Sequence, residues 1–77
     1  MASIQPRFTR ETYERQQAQL EELKSRRVEI IKDIAEAREQ GDLRENHAYH
    51  HAKDMQGMLE AQIGELERRL ADPIIIE

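Results

Sequence analysis

Apolar residues recur along this chain at the spacing of helices that bury a single stripe. Between Arg10 and Gln40 there is neither glycine nor proline, and two heptad series interleave: Tyr13, Leu20, Arg27 and Ile34 share one position, and Gln16, Leu23, Ile30 and Ala37 the other. Residues three and four apart lie on one helical face, so the spacing predicts helix rather than strand. Val28 and Ile31 widen the stripe in its distal half. A second pair of series joins Tyr49, Gln56, Ile63 and Leu70 to Ala52, Leu59 and Leu66, flanked by Met55 and Met58. The pattern predicts an all-α protein: helices over about 10–40 and 46–71, separated by a tip at 41–46.

The ends of these segments carry their own signals. Thr9 is a good N-cap, because its hydroxyl can accept a free amide of the first turn. Phe8 and Tyr13 are spaced as a hydrophobic staple, and Glu11 and Glu14 suit the positive end of the helix dipole. Gly41 is the natural residue to leave the first helix, since glycine takes a left-handed conformation cheaply. Asp72-Pro73 ends the second. Gly57 and Gly64, inside the second helix, suggest a close approach of the first. The short connection makes the helices antiparallel neighbours. Residues 9–72 are therefore expected to form a helical hairpin, an intramolecular coiled coil, and about 30 residues per arm give a rod of roughly 45 Å. Residues 1–8 read as irregular. Ile74-Ile75-Ile76 reads as the start of a strand, or of a linker into one over 73–77, with no partner within the chain.

Composition narrows this picture. A chain of 77 residues, with 36% charged and 4% aromatic side chains, allows one small domain and no sizeable globular core. The net charge of −4 argues against broad duplex binding, which needs a basic face. There is no cysteine, no apolar run near the length of a membrane span, and no signal-peptide core. The reading is a soluble, intracellular, cytoplasmic protein with no membrane partner. Arg27, Gln16 and Gln56 at seam positions disfavour a long self-associating zipper, so a monomeric or weakly self-associating chain is expected.

The candidate chemistry sits at the tip. Asp42 and Glu45 are three residues apart and admit two compatible readings. One is a capping box, with Asp42 as N-cap and Glu45 at the third helical position. The other is a pair of metal ligands on one helical face, close enough to approach one hard cation such as Mg²⁺, too few to hold it alone, and able to complete a site supplied by another molecule. Around them stand Arg38, Arg44 and Lys53, which either pair with neighbouring acids or hold phosphates. Tyr49 is either a seam residue or a surface on which a base stacks. His47 and His51 share a face, but no third ligand for a transition metal is evident.

The block from Ala35 to Lys53, Ala-Glu-Ala-Arg-Glu-Gln-Gly-Asp-Leu-Arg-Glu-Asn-His-Ala-Tyr-His-His-Ala-Lys, resembles the tip of bacterial Gre transcript-cleavage factors of the GreA type, and the similarity extends more loosely from Thr9 through Ile76. The resemblance implies an antiparallel coiled coil that enters the secondary channel of RNA polymerase. There the two tip acids, Asp42 and Glu45 by motif position, help coordinate a catalytic Mg²⁺, and the polymerase cleaves backtracked RNA. It further implies that Arg38 and Lys53 guide the RNA 3′ end, that Arg44 matches a basic variant of its position, and that Asn46 and Tyr49 belong to the contact surface. His47 and His51 depart from the family pattern. On this resemblance the protein is not itself an enzyme, needs no cofactor in isolation, and associates with the nucleoid through the polymerase. Members of that family carry an FKBP-like second domain, and residues 74–76 resemble the linker into it, so the chain is either an N-terminal domain of such a factor or a short relative of it. A non-cleaving channel regulator and a structural coiled-coil module are the alternatives.

Overall fold

A computed structural model describes residues 6–42 and 45–76. Four elements follow in order: strand β1 (Arg7–Thr9), helix α1 (Arg10–Arg38), helix α2 (His47–Leu70) and strand β2 (Ile74–Ile76). The helices lie antiparallel in a slab measuring 54 × 29 × 12 Å. Both heptad series face inward. Leu23, Ile34 and Ala37 are buried from α1, and Ala52, Leu59, Ile63, Leu66 and Leu70 from α2, with Ile63 the most enclosed at 1% exposed. Leu23, Leu59, Ile63, Leu66 and Leu70 form one cluster with Phe8, against which Tyr13, Leu20, Ile30 and Ile75 pack.

Val28 and Ile31 do not widen this stripe: they are 67% and 51% exposed. Each helix has a single partner, which covers only the seam and leaves the adjoining positions to solvent. Nor do the internal glycines admit a close approach of α1. An added Cβ at Gly57 would meet nothing within 4 Å, and one at Gly64 would meet only the Arg68 guanidinium at 3.5 Å.

The hairpin base is closed differently from expectation. Residues 7–9 are strand rather than irregular chain, and Ile74–Ile76 has its partner within the chain. β1 and β2 pair in parallel, Arg7 opposite Ile74, Phe8 opposite Ile75 and Thr9 opposite Ile76. The Ile74 amide also donates to the Pro6 carbonyl at 2.9 Å. The antiparallel helices bring the two ends of the hairpin together, and the bend at Asp72-Pro73 turns the chain leaving α2 back alongside the chain entering α1. Thr9 caps α1 as expected, its hydroxyl accepting the Thr12 amide at 3.2 Å. The staple also forms: the Phe8 and Tyr13 rings meet tilted by 55°, with centroids 5.8 Å apart, and the Arg69 guanidinium lies over the Phe8 ring.

Midway along the rod, Arg27 occupies a seam position yet keeps its charge paired. Its Nε and Nη2 donate to the two carboxylate oxygens of Glu60 at 2.6 and 2.8 Å. This fork fixes the longitudinal register of the arms, and Lys24–Glu67 at 3.7 Å supports the same register nearer the base. The hydrogen bonds to Glu60 hold the guanidinium above its ordinary pKa, against the opposing effect of burial. A cation with a raised folded-state pKa contributes stability in full below its unfolded value, and loses it only as pH rises through the folded value. For arginine that window lies in strong alkali, so mild alkali leaves the clamp intact.

Two substitutions separate seam from flank. Ile63→Ala is expected to destabilise by about 2–5 kcal/mol, whereas Ile31→Ala should stay within about 0.5 kcal/mol. Gly57→Ala should stabilise by about 1 kcal/mol, because helix propensity improves and no neighbour obstructs the methyl group. Chemical denaturation followed by far-ultraviolet circular dichroism measures all three.

Candidate functional site at the hairpin tip

A helix that stops leaves its last carbonyls and first amides without intrahelical partners. The tip is built from the ways this chain supplies them. α1 ends at Arg38, two residues earlier than the pattern suggests, and its cap is Glu39. The Glu39 amide donates to the Ala35 carbonyl at 3.4 Å and the Gln40 amide to the Ala37 carbonyl at 3.1 Å. Gly41 then turns the chain with φ of +118°, a conformation that L side chains rarely adopt. Asp42 follows, exposed.

α2 begins at His47, and its cap is Asn46 rather than Asp42. The Asn46 Oδ1 accepts the Tyr49 amide at 3.0 Å, while the Asn46 Nδ2 donates to the Ala37 carbonyl in the last turn of α1. One half-buried amide thus satisfies a first-turn donor of one helix and a last-turn acceptor of the other. This overturns the capping-box expectation. An aspartate can only accept, whereas asparagine both accepts and donates, so the position that can serve both helix ends takes the cap. The two acids consequently do not share a helical face. Both precede α2, whose first turn contains no acid. They border a common shallow depression with Gln40, Asn46, His47 and Ala48.

The neighbouring residues are arranged as follows. The Arg38 guanidinium sits over the Tyr49 ring, 5.8 Å from its centroid, a cation–π contact across the two helix ends. His50 meets the same ring edge-on at 5.6 Å. Lys53 reaches Gln56 at 3.2 Å. The described contacts of these two cations are therefore with a ring and an amide rather than with the acids of a surface salt bridge. Tyr49 is half-buried, consistent with a seam residue. His47, His50 and His51 are exposed. His51 lines a groove on the side of the hairpin with Ile30, Asp33, Ala37, Ala52 and Met55, and this groove adjoins the depression that the acids border through Gln40 and Ala48. Arg44 lies outside the described residues. Among the described residues, no three His, Asp or Glu side chains converge as metal ligands.

Sequence reasoning missed the double role of Asn46 and the use of Tyr49 as a seat for Arg38. A signal for the first was present: asparagine directly before a run of helix formers is as good an N-cap as aspartate.

The fold and this tip define a class: a two-helix rod whose distal turn carries exposed acids beside seated cations. Residues 7–75 match the family described as transcription elongation factor, N-terminal, of GreA and GreB. The chain belongs to this family. It is 52% identical over 63 residues to the transcription elongation factor GreA of Maridesulfovibrio salexigens, covering 82% of this chain and 39% of that protein. Against GreA of Nitratidesulfovibrio vulgaris the identity is 54% over 61 residues, covering 79% and 38%. Against GreA of Haemophilus influenzae it is 56% over 52 residues, covering 68% and 33%. The chain spans about two fifths of the length of the first two relatives.

The cap assignment has a direct check. Asn46→Ala is expected to destabilise the hairpin by about 1–2 kcal/mol through loss of the cap and its bond to α1. Glu45→Gln, outside the helix, should change stability by less than about 0.5 kcal/mol. Comparable losses from both would restore the capping box.

Proposed function

We propose that this hairpin is the part of a cytoplasmic transcription elongation factor that reaches into the secondary channel of bacterial RNA polymerase and stimulates cleavage of backtracked RNA. The observation that carries the reading is the exposed position of Asp42 and Glu45 at the far end of an elongated hairpin measuring 54 × 29 × 12 Å, in a chain of the GreA and GreB family. Such a rod can carry two carboxylates into a recess that a globular domain could not enter.

In this reading Asp42 and Glu45 supply two oxygen ligands to a Mg²⁺ held mainly by the polymerase. When bound, that ion stabilises charge on the attacking and leaving oxygens of phosphodiester cleavage. The chain's own residues present and orient. Gly41 turns the loop, Asn46 closes it, and Tyr49 holds the Arg38 guanidinium where it can meet an RNA phosphate. Lys53 and Arg44 add positive charge for the nascent 3′ end. The hairpin is no enzyme in this scheme, because the nuclease chemistry belongs to the polymerase.

The test uses a stalled, backtracked elongation complex with Mg²⁺ and the 77-residue chain. Cleavage should rise with added protein, and the Asp42→Asn/Glu45→Gln double variant should lose roughly a hundredfold of the stimulation. Arg38→Ala and Lys53→Ala should mainly raise the concentration needed. No stimulation at saturating protein, or full stimulation by the double variant, would sink the reading. Slowed nucleotide addition without cleavage would replace it with a channel-blocking regulator.

A further inference from the structure

We propose that Asn46 is a positioning residue whose side-chain amide straps the tip loop shut and thereby holds Asp42 and Glu45 in place for donation; the inference rests on the functional reading above. The geometry separates two jobs within one side chain. The Oδ1 takes the Tyr49 amide and starts α2. The Nδ2 crosses to the Ala37 carbonyl, nine residues earlier in the chain. Only the second bond joins the two arms.

The loop it closes contains both acids. At its entry the chain is tied by the Gln40 amide to the same Ala37 carbonyl at 3.1 Å. At its exit, Glu45 precedes the strapping residue, and its carbonyl accepts the His47 amide at 3.1 Å. Entry and exit therefore meet at one carbonyl of α1, and Asp42 and Glu45 lie on the segment that this meeting point pinches off. Without the Nδ2 donor, α2 can still begin at His47, but its start is no longer fixed to the end of α1. The cost falls on ligand placement, and small errors in placing a reacting group lower rate strongly.

Asparagine can be replaced so that one job survives. Asn46→Asp and Asn46→Ser both keep an oxygen acceptor for the Tyr49 amide and lose the donor to Ala37. Each should retain the helical circular dichroism of the unaltered chain. In the backtracked-complex assay, the maximal cleavage rate should fall by at least about tenfold, while the half-saturating protein concentration moves less than about threefold. A merely structural defect would shift the concentration dependence instead. Independently of cleavage, nitrogen-15 relaxation should show the Asp42 and Glu45 amides ordered in the unaltered chain and with order parameters below about 0.6 in Asn46→Asp. Unchanged order at both acids, or an unchanged maximal rate in both variants, overturns the proposal. A chain that never stimulates cleavage removes the functional reading, and the relaxation comparison then decides the strap alone.

Discussion

Among the described residues each helix packs against one other helix, and most of the structure follows from that constraint. A helix in a bundle can bury several faces, but here only the stripe along the seam is covered, so the interior is a line of side chains rather than a volume. Ile63 and the leucines of α2 lie on that line, and Phe8 and Ile75 extend it past the helix ends. A line-shaped core gives little resistance to sliding or splaying of the arms. The chain adds a specific tie at each level: the β1–β2 ribbon and the Phe8–Tyr13 contact at the base, the Arg27–Glu60 fork midway, and the Asn46 amide at the tip. The fork is partly solvated, and a solvated ion pair contributes little to net stability. Its main effect is on register, because a paired guanidinium at a seam position fits poorly at any other offset.

The same constraint shapes the tip. Far from the cluster around Ile63, the distal seam contains the small side chains Ala37 and Ala52, both buried, beside the half-buried Tyr49. Small residues bring the two helix ends close enough for one asparagine to bridge them. The loop beyond that bridge is kept out of both helices, so its acids remain at the surface while their flanks are held by backbone hydrogen bonds. Rigid elements supporting an exposed loop are the usual arrangement for binding residues.

The seam was readable from the sequence because its periodicity is physical. The positions assigned to it on α2 are all buried or half-buried, and those on α1 likewise. Val28 and Ile31 misled because apolar character alone does not say whether a neighbour exists to cover it. Ile74–Ile76 was legible as a strand, but its partner was not. β1 is only three residues long, so its exposed-buried-exposed alternation is too short to stand out, and the pairing depends on the hairpin bringing distant segments together. At the tip, Asp42 and Glu45 matched the spacing of a capping box, and Asn46 won because capping here involves two helices. A rule that considers one helix end at a time cannot see the acceptor offered by Ala37 across the turn.

The identity of that cap bears on the proposed role of the acids. A carboxylate that caps a helix commits an oxygen to a backbone amide. It would have to give up that bond, and loosen the helix, on engaging a cation. With a neutral amide as the cap, starting α2 and the proposed ligand donation draw on different side chains. Asn46 holds the start of α2 through Tyr49 and Ala37, bonds in which neither Asp42 nor Glu45 takes part through its side chain. Under the proposed role, engaging the acids would therefore break neither of the two bonds that cap α2 and tie it to α1.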